Sequence, residues 1–215
     1  MSRIQLRPAL RAYAHTPTVA PAVAGFVNEK SVLYDAVDEK FTMDSSVFWP
    51  NNTYTIAFWM KSQLTGPYTY PIKPPSTNYF RLYSSNVNWA RIGSAVNSQS
   101  APFSADTWAH FCAVGSAPSG SDITYTLYKD GSASSTVTTT AHYTNTTPLV
   151  MGSFLGNLDE VAIWLTTALD STQVGLVYGG GSGPPDLNNT TGLPAPANWW
   201  RMGDDPGDDS RTLVD

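Results

Sequence analysis

Asp159 and Glu160 stand side by side in the run Leu158-Asp159-Glu160-Val161-Ala162-Ile163-Trp164, two carboxylates set among apolar residues. A carboxylate buried in such company needs hydrogen bonds, a counter-charge or a metal ion. Strand alternation sends Leu158, Glu160, Ala162 and Trp164 to one face and Asp159, Val161 and Ile163 to the other. The two acids then diverge, and do not form the converging pair that glycoside hydrolysis requires. His15, His110 and His142 are scattered and no nucleophile motif accompanies them. Cys112, the single cysteine, excludes an intrachain disulfide and is expected to be a buried, inert thiol in an alternating strand. The expectation is a protein that is not an enzyme.

Binding chemistry has more candidates. Aromatic rings next to amides or other rings could form sugar platforms: Trp49 beside Asn51 and Asn52, Tyr68 with Tyr70, and Trp89 beside Asn88. Arg3, Arg7 and Arg11 are spaced four apart, but Pro8 interrupts any helix they would share. They are read as a basic arm that orders on an acidic partner through paired guanidinium hydrogen bonds. Trp199 and Trp200 face opposite ways in a strand. One sandwich buries one of those rings readily and both hardly, which leaves the second for a neighbouring subunit.

The elements that must carry these residues read as all-β. Charged residues make up only 13% of the chain, while Ser, Thr, Asn, Gly, Pro and aromatics abound, which favours short strands joined by polar turns. Tyr54 to Lys61 alternates Tyr54, Ile56, Phe58 and Met60 against Trp59, and Trp108 to Val114 and Ile123 to Lys129 are further strands. Asp130-Gly131 is a tight hairpin turn, and Tyr79 to Tyr83 with Val87 to Ile92 form a hairpin around Ser84 to Asn86. The prolines between Gly66 and Pro75 predict an exposed loop rather than a strand. One short helix is expected near residues 170–178, N-capped by Asp170 or Ser171. The organisation expected is an extended basic arm over 1–24, a sandwich over 25–183, and a tail over 184–215 with a strand-like Trp-Trp segment beyond the glycine-rich hinge at 179–183. A net charge of -5 offers no basic field for nucleic acid, and no run is long enough to span a membrane. The N-terminus also lacks the compact apolar core of a signal peptide, so nothing in the chain itself marks it as secreted.

Gly156, Asp159, Glu160, Val161, Ile163, Trp164, Ala168, Leu169, Val174 and Tyr178 fall in step with the closing strands and small helix of laminin-G-like, concanavalin A-type jelly rolls. Lys30 to Met43 resembles the early hairpin of that family, Tyr54 to Lys61 its central strand, and Trp199 to Asp205 its opening strand, which residues 1–24 lack, so that either the tail supplies this strand to a sandwich or the chain stops inside a second copy. The resemblance implies a two-sheet antiparallel jelly-roll sandwich with extended termini. It also implies that Asp159, with help from Asp35, could hold a structural Ca²⁺; no other cofactor is expected. A signal-less sandwich with a basic proline-bearing arm and a Trp-Trp-Arg-Met-Gly-Asp tail is similar to tailed-bacteriophage virion proteins. That implies a capsid decoration, cement or fibre-associated protein in the virion, in contact with other virion proteins, homo-oligomeric and assembled through its ends. The alternative is a lectin-like, carbohydrate-binding module of a secreted or cell-surface protein, and on either reading a host-surface glycan is a conceivable partner.

Overall fold

The alternation of Tyr54, Ile56, Phe58 and Met60 gives a strand one wholly apolar face, and all four side chains are buried in the core between two sheets. The computed structural model describes residues 11–14, 30–37, 39–42, 53–63, 69–73, 78–83, 85–91, 99–117, 122–139 and 149–205. Within them lie β1 (Arg11–Ala14), β2 (Lys30–Tyr34), β3 (Lys40–Thr42), β4 (Tyr54–Ser62), β5 (Thr69–Lys73), β6 (Asn78–Tyr83) and β7 (Asn86–Arg91). These are followed by β8 (Gln99–Pro102), β9 (Ala109–Ser116), β10 (Ile123–Lys129), β11 (Ser132–Thr139), β12 (Val150–Gly152), β13 (Gly156–Trp164), α1 (Ser171–Tyr178) and β14 (Asn198–Trp200). One sheet has the order β1-β2-β13-β4-β9-β10-β11, with β14 also on β13, and the other β3-β12-β5-β6-β7-β8; every pairing is antiparallel. The molecule is therefore the expected all-β, two-sheet sandwich with one short helix.

Phe58 of β4 meets Phe80 of β6 edge-on, centroids 4.7 Å apart at 84°, so this aromatic pair ties the two sheets across the core. The eight-stranded sheet buries its outer side as well. Ala57, Cys112, Ala162 and Trp164 lie under Leu169, Val174, Val177 and Leu187. Both faces of β13 are covered, and all nine of its residues are buried. α1 is held there by a capping box: Asp170 accepts from the Gln173 amide, and the Gln173 side chain accepts from the Asp170 amide. Thr55 adds a tie from β4, donating to the Thr167 carbonyl and accepting from the Leu169 amide. Between β10 and β11, Asp130 and Gly131 take φ of 48° and 74°, the left-handed conformation a two-residue hairpin demands.

Four expectations are corrected. Lys30 to Met43 is not a hairpin: β2 belongs to one sheet and β3 to the other, and the chain turns a corner between them where Glu39 Oε2 accepts the Asp35 and Ala36 amides. Residues 69–73, read as loop, form β5 inside the six-stranded sheet. Pro71 is tolerated because the β5–β6 register breaks between Thr69 and Ile72, where no ladder hydrogen bond is owed. Residues 11–14 do supply a strand, antiparallel to β2. The tail is not hinged away; β14 pairs with β13, Trp200 is fully buried in the core, and the Trp164 indole donates to the Pro194 carbonyl at 2.7 Å.

Candidate functional site

β13 carries the carboxylates through a bulge. Asp159 opposes Trp59 and Ala162 opposes Ala57, so Glu160 and Val161 together face Phe58, and Glu160 takes φ of 50°. The extra residue shifts the alternation by one. Leu158 therefore shares the inter-sheet core with Val161 and Ile163, while Ala162 and Trp164 turn outward beneath α1. The acids, expected on opposite faces, converge: oxygens of Asp159, Glu160 and Asp204 lie within 4.8 Å of one another.

The bulge sits at a seam. β2 covers Gly156–Leu158 along one edge of β13 and β14 covers Val161–Ile163 along the same edge, so two strands meet end to end at Asp159 and Glu160. The Lys30 amide donates to Asp204 Oδ2 at 3.1 Å, and Lys30 Nζ donates to the Gly203 carbonyl at 2.8 Å. Glu160 accepts a hydrogen bond from the Trp199 indole and pairs with Arg201, whose Nε is 3.7 Å away. The Arg201 guanidinium also lies over the Trp199 ring, 5.4 Å from its centroid. Among the described contacts, this carboxylate cluster thus meets the Arg201 guanidinium, the Lys30 backbone amide and the Trp199 indole N–H, with Asp159 and Glu160 at 2–3% exposure. Donor type and spacing suit a hard cation such as Ca²⁺, which Asp159, Glu160 and Asp204 would hold. Asp35 would not: it follows Tyr34, at the far end of β2 from Lys30, roughly 13 Å along the strand.

Other expected site residues disperse. Trp200 is buried in the core of its own sandwich, and Trp199 is half-buried against the outer cluster with its indole N–H on Glu160. Arg3, Arg7, Trp49 and Tyr68 lie outside the described residues; Arg11 and Trp89 are placed by backbone alone, Trp89 opposite Phe80 and Gln99. Tyr70 is half-buried on β5, between the Thr69–Leu82 and Ile72–Phe80 pairs. Cys112 is fully buried and burial pushes its thiol pKa up, as expected of an inert cysteine. His110 is buried against Trp59 and Tyr178, and desolvation lowers its pKa to about 3.

The outer face of the six-stranded sheet holds an arrangement the sequence reading missed. Phe80, Leu82, Val87 and Ala101 point to the core, so their neighbours point out. Arg81, Asn88 and Ser100 form one row across β6, β7 and β8, and Tyr83, Asn86 and Pro102 form the next. Tyr83 is 46% exposed, and the Arg81 guanidinium carbon is 5.8 Å from its ring centroid. Asn86 Oδ1 accepts from the Ser100 hydroxyl at 3.1 Å. Asn88 is 8% exposed, yet its Nδ2 has no hydrogen-bond partner among the described residues. The Nδ2 atom itself is closed to solvent, so the polar groups this face offers a ligand are the Arg81 guanidinium and the Asn86 and Ser100 side chains. An open ring beside amide and guanidinium donors can stack on one sugar face while hydrogen-bonding its hydroxyls.

The family model for laminin-G-type domains of the concanavalin A-like lectin/glucanases superfamily matches residues 35–175. No curated protein sequence matches the chain. Among solved structures, a candidate carbohydrate-binding protein from Bacteroides ovatus superposes with a TM-score of 0.57 at 10% identity, over 99% of this chain and 57% of its own. The receptor-binding domain of botulinum neurotoxin type G gives 0.54 at 11% identity over 83% of this chain; the match spans 50% of that domain's length. Domain 4 of AbnA, an extracellular arabinanase from Geobacillus stearothermophilus solved with arabinotriose, gives 0.53 at 13% identity, over 79% and 87% of the two chains. At these identities the likeness is one of fold, and it agrees with the family match, which covers more than half of the sequence. The chain belongs to the laminin-G-like domains of the concanavalin A-like lectin/glucanase superfamily.

Proposed function

We propose that this chain is a non-enzymatic recognition module that binds glycan on the outer face of its six-stranded sheet and is displayed on a tailed-phage particle as a decoration or fibre-associated protein. The observation that carries the glycan reading is Tyr83, an open aromatic ring with Arg81 beside it and the exposed Asn86–Ser100 hydrogen bond across from it. Two proteins of similar fold are a candidate carbohydrate-binding protein and a domain solved with arabinotriose, so a sandwich of this kind can host sugars. Against catalysis stands the burial of Asp159 and Glu160: they lie in a sheet seam, whereas hydrolytic carboxylates line a cleft that admits the substrate. The virion reading is supported by the Arg3, Arg7 and Arg11 arm and the Trp-Trp-Arg-Met-Gly-Asp tail, which resemble phage virion proteins. Since Trp200 is built into the core, attachment to the particle falls to the arm rather than the tail.

A glycan array with the parent and Tyr83→Ala tests the binding role. Hits lost in the variant support it, and hits retained in full overturn it. Mass spectrometry of purified particles tests the display role. Consistent absence from particles, combined with Tyr83-dependent glycan binding, would instead favour a module of a secreted protein.

A further inference from the structure

The six strands of the proposed binding sheet read Lys-Phe-Thr, Thr-Tyr-Pro-Ile-Lys, Asn-Tyr-Phe-Arg-Leu-Tyr, Asn-Val-Asn-Trp-Ala-Arg, Gln-Ser-Ala-Pro and Val-Met-Gly. They contain four basic residues and no Asp or Glu, in a chain whose net charge is -5. The carboxylates described in strands, Asp159 and Glu160, are on the opposite sheet. Basic residues occur on both sheets, but the described strands of the six-stranded sheet carry no acid to offset theirs. Lys40 and Lys73 are exposed on strands whose Phe41 and Ile72 point to the core, so both face outward. Arg81 is on the same face. Lys73 lies one step beyond the Ile72–Phe80 pair, which puts it diagonally across from Arg81, with Cα atoms roughly 7–8 Å apart.

We infer that the ligand of this face is an acidic glycan, one bearing carboxylate or sulfate groups. The inference rests on the glycan-binding role proposed above. The Arg81 guanidinium lies beside Tyr83, and the Lys73 ammonium extends the cationic row beyond Arg81, roughly 14 Å in Cα terms from Tyr83. A neutral sugar presents hydroxyls, which both donate and accept, and is matched by sites that mix carboxylates with amides. An anionic group only accepts, and cations on a face whose described strands contain no Asp or Glu suit it. Among polyanions, nucleic acid is disfavoured because the -5 net charge repels a uniformly charged backbone. A glycan with charges spaced along it and pyranose faces between them fits both the cations and the open Tyr83 ring.

The test is binding, by calorimetry, of uronate-, sialate- and sulfate-bearing oligosaccharides, their methyl-esterified or desulfated counterparts, and single-stranded DNA, to the parent, Lys73→Gln and Tyr83→Ala. Lys73 is exposed, so its variant should fold as the parent does. The acidic form should bind at least roughly tenfold more tightly than its neutralised counterpart and weaken as salt is raised. Lys73→Gln should weaken the acidic ligand roughly three- to tenfold and leave the neutral one unchanged, while Tyr83→Ala weakens both. Neutral and acidic forms that bind equally through Tyr83 would overturn the charge inference and leave the glycan role standing. Absence of any Tyr83-dependent glycan binding would overturn both, and preference for DNA over every glycan would overturn the choice of partner.

Discussion

His110 makes the fold sensitive to acid in a way that can be worked from its surroundings. Its ring is 1% exposed, packed 5.5 Å from Trp59 and 5.8 Å from Tyr178, and neither ring nitrogen has a hydrogen-bond partner among the described residues. Asp130, the nearby acid, is engaged with the His110 backbone amide at 2.9 Å and with Lys129 at 3.3 Å. Desolvation lowers the imidazole from 6.5 to about 3. A base whose folded pKa is depressed is protonated first in the unfolded chain, so stability falls as pH drops below 6.5 and the loss is complete only below the folded value. At 1.36 kcal/mol per unit the full effect approaches about 5 kcal/mol, of which about 2.5 kcal/mol should appear between pH 7 and about pH 4.5. The assay is urea unfolding followed by tryptophan fluorescence across that range, for the parent and His110→Phe. The difference isolates this residue, since all other groups titrate alike in both proteins. Phe should flatten the pH dependence by about that amount without loss of stability at pH 7, as it carries no unsatisfied nitrogen into the stack. Parallel pH profiles for the two proteins would refute the reasoning.

Phe58→Ala and Ile163→Ala, each opening a cavity in a fully buried site, should cost about 2–5 kcal/mol by urea unfolding, and parental midpoints would contradict the core assignment. Trp199→Phe should cost about 1–3 kcal/mol by stripping a buried Glu160 of its indole donor, and an unchanged melting temperature would show that the bond contributes nothing. Deleting residues 186–215 should unfold the domain, because Trp200 and Met202 leave the core with it; a cooperative melt of the truncated chain would contradict this. Excess chelator should leave the melting temperature unchanged, since Arg201 pairs with Glu160 and the Lys30 backbone amide donates to Asp204, and a fall would assign an ion to Asp159, Glu160 and Asp204.

What was legible in the sequence was whatever depends on local pattern. Tyr54 to Lys61 declares its faces by strict alternation, Asp130-Gly131 its turn by the φ it permits, and Asp170 with Gln173 its helix start by capping chemistry. The bulge at Glu160 was not legible, because alternation counts every residue as one step and cannot register one that is skipped; an acidic pair inside an otherwise apolar strand was the signal that could have raised it. β5 was hidden by Pro71, whose exclusion from strands lapses at a register break. Asp204 was missed as a neighbour of Asp159 because only β14, docking on β13 from the far end of the chain, brings it there. The Tyr83 face was missed because its parts come from three strands and only their register aligns them, although the lack of Asp and Glu in those segments was visible from the start.

The central claim is that the outer face of the six-stranded sheet is the binding surface, and a crystal structure with an oligosaccharide hit from the array tests it most directly. The account predicts a sugar ring stacked on Tyr83, with an acidic group within about 3.2 Å of an Arg81 or Lys73 side-chain nitrogen. A sugar seated instead on the outer side of the eight-stranded sheet, or at the β2–β14 seam, with Tyr83 untouched, would contradict it.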